Sequence, residues 1–122
     1  MKKENCIDYV ELPASDLKQT KSFFSELFGW KFVDWGDDYC SFNDGRLDGG
    51  FYKSNTVASI KTGSALLVFY CEELEHAVGR VENAGGKIVK PIFSFPGGRR
   101  FHFTDPNGNE FAIWSEQKEL LD

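Results

Sequence analysis

Two glycines that suit the left-handed residue closing a helix, Gly29 and Gly85, stand 56 residues apart, and the segments after them correspond at the same offset: Lys31-Phe32-Val33 and Lys87-Ile88-Val89. A chain that repeats its helix end and its next strand at one fixed period is built from one supersecondary unit used twice. That narrows the possible folds more than any composition figure does.

Each half reads as strand, helix and three strands. The first strand is predicted over residues 7–12, ended by Pro13. Asp16 sits where an N-cap belongs, with Gln19 three residues on as in a capping box. Leu17, Thr20, Phe24, Leu27 and Phe28 come next at helical spacing. Strands are predicted over residues 30–35, 39–43 and 47–53, with Gly36-Asp37-Asp38 and Asp44-Gly45 as turns. The second half offers an apolar strand at 65–71, then a helix with Leu74, Ala77, Val78 and Val81 on one face. Strands at 87–93, 99–104 and 109–115 complete it, with Pro96-Gly97-Gly98 as a loop. The fold class is α+β: two βαβββ modules forming a curved mixed sheet, helices on the outer face and an open concave cup. One domain covers residues 1–122, module one about residues 5–55 and module two about residues 63–117.

Composition excludes several functions. A net charge of −5 argues against nucleic acid as partner and mildly favours a neutral or cationic ligand. No apolar run approaches the ~20 residues of a membrane span. Met1-Lys2-Lys3-Glu4-Asn5 has no apolar stretch behind it, so no signal peptide is expected. Cys6, Cys40 and Cys71 are an odd set without metal-ligand spacing, which fits reduced thiols and a cytoplasmic location.

Four stretches carry a family resemblance: Glu11-Leu12-Pro13-Ala14-Ser15-Asp16-Leu17, Phe23-Phe24-Ser25-Glu26-Leu27-Phe28-Gly29-Trp30, Val81-Glu82-Asn83-Ala84-Gly85-Gly86 and Asp105-Pro106-Asn107-Gly108-Asn109. In this order and spacing the chain resembles the vicinal oxygen chelate superfamily of glyoxalase I, bleomycin- and fosfomycin-resistance proteins and extradiol dioxygenases. It is closest to the small glyoxalase-like branch, and the resemblance implies a homodimer whose two chains complete the cups.

Metal-dependent members carry a ligand on the first and last strands of each module. Carried onto this chain, those positions are Tyr9, Gly49 or Gly50, Leu66 and Ala112. None is the imidazole or carboxylate that holds a catalytic divalent ion. No metal and no other cofactor is therefore expected, and glyoxalase I, thiol-transfer and extradiol activities are rejected on this reading. Of the two histidines, His76 falls on the polar side of its helix, and His102 lies on the seventh strand.

Strand alternation sorts the remaining residues. Val10, Leu12, Phe101, Phe103, Phe111 and Ile113 should meet the helices. Tyr9 and Glu11, Leu66 and Val68, Arg100 and His102, and Ala112 and Trp114 are the expected ligand-binding residues of the cup. Tyr9 and Trp114 equally suit a dimer interface, Glu11 can simply pair with Arg100, and Arg99-Arg100 can be a solvated pair. Glu11 and His102 are the catalytic candidates, as an acid–base pair if they meet. Cys40 and Cys71 are less suited as nucleophiles, because strand cysteines are usually buried and inert. The expected function is metal-free binding of a small hydrophobic or aromatic molecule. The alternatives are a lyase or isomerase-type enzyme using Glu11/His102 or an unplaced metal, and a non-catalytic dimerising domain whose cup is self-filled.

Overall fold

The structure, a computed structural model, describes residues 2–116. Met1 and the expected end of module two at residue 117 lie outside the described residues. The order is β1 (Tyr9–Ala14), α1 (Leu17–Phe28), β2 (Phe32–Asp34), β3 (Tyr39–Asn43), β4 (Asp48–Lys53), β5 (Leu67–Tyr70), α2 (Leu74–Ala84), β6 (Lys87–Phe95), β7 (Gly98–Thr104) and β8 (Glu110–Glu116). The paired βαβββ architecture is therefore present. Each module forms its own four-stranded sheet, ordered β1-β4-β3-β2 and β5-β8-β7-β6. The first and last strands of each module pair in parallel and the others antiparallel.

Local chemistry explains the boundaries. The Asp16 carboxylate accepts the Gln19 N–H at 3.0 Å, which starts α1. Gly29 and Gly85 close their helices at φ of 72° and 106°, where a side chain would be strained. Pro13 does not end β1 as expected but lies inside it, paired with Tyr52. β1 is an edge strand, so the missing N–H of Pro13 breaks no ladder. Trp30, expected to begin β2, instead stacks on Phe42 (4.2 Å between centroids) and Phe24 (4.9 Å). β6 runs two residues further than expected, to Phe95.

The two modules share one core. Phe24 of α1 is fully buried and lies 5.5 Å from both Phe51 of β4 and Phe111 of β8. Phe28 reaches Phe69 of β5 at 4.6 Å. Leu12, Phe101, Phe103, Phe111 and Ile113 all belong to this cluster, as their alternation required. The turn Asp105–Asn109 pins module two to module one. Buried Asn109 donates to the Pro13 carbonyl at 2.6 Å and accepts from the Ala58 N–H at 2.9 Å, while Asn107 Oδ1 accepts the Asp16 N–H at 2.9 Å. With the helix-facing sides of both sheets committed to the core, their opposite faces are left for function.

Candidate functional site

On module one, β1, β3 and β4 place Tyr9, Glu11, Tyr39, Ser41 and Gly50 on the face turned away from the helices. Tyr39 lies across Gly50, where a Cβ would collide with its phenol oxygen. The phenol of Tyr39 donates to Glu11 Oε2 at 2.8 Å and meets the Tyr9 hydroxyl at 2.5 Å. A phenol has one proton, which sets the direction: Tyr9 donates to Tyr39, and Tyr39 to Glu11. Burial, followed by the bonds to Tyr9 and Glu11, pushes the Tyr39 pKa well above the ordinary phenol value and keeps it a neutral donor. Beside this chain opens a groove of about 600 Å³ lined by Tyr9, Lys31, Val33, Trp35, Tyr39, Ser41, Phe42, Asn43 and Asp48. Trp35 is 64% exposed, and its indole N–H is held by Ser41 Oγ at 2.9 Å. The outcome is a fixed aromatic plate at the wall of an open groove.

Module two has a different surface on its equivalent face. His102 is only 2% exposed, and its Nδ1 lies 2.9 Å from Glu110 Oε2. The other oxygen of Glu110 accepts the Ile60 N–H at 3.2 Å, which fixes the carboxylate. With the carboxylate as acceptor, Nδ1 carries the proton. Among the described residues, His102 Nε2 and Arg100 Nε are buried without a hydrogen-bond partner. Such atoms cost about 1–3 kcal/mol each and call for an explanation. The Phe93 ring lies 5.8 Å from the His102 ring and 5.4 Å from the Arg100 guanidinium, and Phe95 lies 6.3 Å from Trp114. Trp114 also meets Tyr70 edge-on at 5.2 Å.

Of the residues expected in the cup, Tyr9 and Glu11 lie together on module one. Val68, Arg100, His102, Ala112 and Trp114 lie on module two, with Ala112 fully buried outside the core cluster. Leu66 precedes β5 and is half-buried. The Glu11–His102 pair does not form: Glu11 takes Tyr39 and His102 takes Glu110, each on its own sheet. Sequence reasoning missed Tyr39, Trp35 and Glu110 as partners. Glu110 was legible in principle, because a hairpin through the Asp105–Asn109 turn sets Thr104 opposite Glu110 and His102 opposite Ala112. Tyr39 was not, since only the contact across Gly50 reveals it. His76 is exposed on α2 as expected, and Cys40 is buried, which pushes its thiol pKa up.

The donor set does not fit a divalent ion. On β4 the uncertain register resolves: Gly50 is opposite Glu11 and shares the open face, whereas Gly49 abuts Phe42 and Val10 of the core. Neither offers a donor, Tyr39 occupies the space above Gly50, and Leu66 and Ala112 are aliphatic. Among the described residues no group of three or more His, Cys, Asp or Glu could hold a metal ion. Among them, too, no helix is long and apolar enough to cross a membrane.

The comparisons with known proteins agree with this architecture. CFP32 of Mycobacterium tuberculosis, a glyoxylase by provisional assignment, is 23% identical over 93% of this chain. The match covers 46% of CFP32, so the chain spans about half the length of the curated relatives it matches. A glyoxalase-related enzyme from Fulvimarina pelagi superposes with a TM-score of 0.77 at 20% identity, covering 92% of this chain and 88% of that chain. The E126Q mutant of the fosfomycin resistance protein FosX from Listeria monocytogenes, in complex with Mn(II) and 1S,2S-dihydroxypropylphosphonic acid, gives 0.76 at 18% identity over 93% of this chain and 91% of that chain. At these identities the structural likeness speaks for the fold. The model of the Glyoxalase/Bleomycin resistance protein/Dioxygenase superfamily matches residues 6–113, and the chain belongs to that family.

Proposed function

We propose that this protein binds a small, hydrophobic or aromatic molecule on the open face of its sheets, without a metal. The observation that carries this reading is the groove of about 600 Å³ beside Tyr9, Tyr39 and the exposed indole of Trp35. Small-molecule sites have this makeup: apolar walls with a few fixed polar groups. Trp35 supplies a stacking surface, and the acidic balance of the chain favours a cationic aromatic over an anionic one. The protein works as a cytoplasmic homodimer in this reading. Val68 and Tyr70, 43% and 49% exposed, are the apolar surface that a second copy covers.

A thermal-shift screen of planar aromatic cations and their neutral analogues tests the binding. A compound at 100 times its dissociation constant stabilises by about 2.7 kcal/mol, and Trp35→Ala should weaken it about tenfold, or about 1.4 kcal/mol. A screen in which nothing raises the melting temperature, or a hit indifferent to Trp35→Ala, removes the reading. Light scattering on the eluted protein tests the dimer, and a monomer at tens of micromolar would sink it.

A second reading, an isomerase or lyase type of enzyme, is supported by His102 with its Glu110 partner. With Nδ1 held by Glu110, Nε2 is the ring nitrogen left to exchange a proton with a substrate. In that case His102→Asn, whose amide can still donate to Glu110, abolishes turnover while far-UV circular dichroism shows the fold retained.

A further inference from the structure

We propose that Phe93 plugs a polar recess built for a hydroxyl group, with Arg100 Nε–H as donor and His102 Nε2 as acceptor. The proposal rests on the reading that the open faces take small aromatic molecules, and it assigns to the face of module two a ligand with a phenolic or enolic hydroxyl. Three observations converge on it.

First, β6 does not pair evenly with β7. Ile88 is opposite Phe103, Lys90 opposite His102 and Phe93 opposite Arg100, so β6 carries an extra residue in each of the two intervals. Bulges bend a strand and re-aim its side chains, and they gather beside binding sites. Here they bring Phe93 against Arg100 and His102, alternate residues of β7 that share a face. Second, Arg100 and His102, the residues this ring lies against, carry the two buried side-chain polar atoms without a partner among the described residues, Arg100 Nε and His102 Nε2. An apolar ring satisfies neither.

Third, their chemistry is complementary. Nδ1 of His102 is committed to Glu110, so an unprotonated Nε2 is the ring atom left to accept, while Arg100 Nε can only donate. A hydroxyl accepts from the one and donates to the other. A carbonyl would satisfy only Arg100, an ammonium only His102, and a hydrocarbon neither. The ring that a phenol brings would take the place of Phe93, which lies 4.3 Å from the Lys90 ammonium and 5.4 Å from the Arg100 guanidinium. Cations flanking that space favour an aromatic occupant.

The test uses Phe93→Ala, which leaves a ring-sized void over the recess, and two probes of equal size, phenol and toluene, at pH 8. With 15N-labelled histidine, His102 is read directly and exposed His76 serves as the control. Phenol should bind at least tenfold more tightly than toluene and move the Nε2 resonance of His102 but not that of His76. Arg100→Met in the same background should remove the preference. Toluene binding as tightly as phenol, or phenol binding with His102 unmoved, overturns the recess. Should Phe93→Ala not fold, the wild type still decides: an imidazolium at His102 at pH 8, above the ordinary imidazole range, makes Nε2 a donor and overturns the proposal. Phenol that quenches Trp35 fluorescence while His102 stays still defeats the recess and leaves the groove reading standing. Silence of both probes at both residues defeats the two together.

Discussion

The two modules have the same order of elements and the same helix-closing glycines, yet their open faces differ. Module one keeps a groove and holds its polar groups near solvent, in the Tyr9–Tyr39–Glu11 chain. Module two folds a bulged β6 against its face and buries the His102–Glu110 pair. Strand pairing and helix packing set the architecture, whereas the open face is set by one or two side chains. A tyrosine lies over a glycine in one module, and a phenylalanine lies over an arginine and a histidine in the other. The comparison also explains why a face can lose metal donors without losing the fold, since the core side of each strand is untouched.

The largest expected effect tests whether the modules are one body. Phe24 contacts both sheets, and Phe24→Ala should lower stability by about 3–5 kcal/mol. Urea unfolding followed by Trp fluorescence and far-UV circular dichroism should remain one transition. Two separated transitions would mean that the modules can be compared as independent units, which the shared core forbids.

A smaller effect concerns the turns that precede the last strand of each module. Asp44 in module one is exposed, and its carboxylate caps only local N–H groups. Asp105 is 3% exposed, and burial raises its pKa from 3.8 to about 6 despite the N–H bonds from Asn109 and Asn107. The folded chain therefore holds the Asp105 proton across a range where the unfolded chain has released it. Stability from this group is present below pH 4 and is lost as the pH rises through about 6, by at most about 3 kcal/mol. Measured by urea unfolding, the stability of wild type relative to Asp105→Asn should fall between pH 4 and pH 7. A rise would mean that the N–H bonds, not burial, dominate.

The smallest effect contrasts the two carboxylates. Glu110→Ala strands His102 Nδ1 and the Ile60 N–H and should cost about 1–3 kcal/mol. Glu11→Ala, at an exposed residue, should cost about 1 kcal/mol or less. Equal losses in chemical denaturation would erase the distinction between a buried and an open face.

Much of the fold was legible because it rests on local chemistry. Asp16 caps by its own geometry, Gly29 and Gly85 take the left-handed conformation that other residues resist, and alternation sent Phe111 and Ile113 to the core. The boundary errors have physical causes as well. Pro13 is tolerated in a strand only because β1 is an edge, and Trp30 left its strand to stack in the core.

The sequence by itself determined the repeated βαβββ order, the face to which most strand residues point, and the lack of ligand-type side chains at Tyr9, Leu66 and Ala112. Those features come from spacing and from side-chain identity, which need no neighbours. Tertiary structure alone decided that His102 pairs with Glu110 and Glu11 with Tyr39, that Gly50 and not Gly49 faces outward, and that Phe93 lies against Arg100 and His102. Each of these depends on register, on bulges and on how far a side chain reaches across the sheet, and a shift of one residue would reverse it.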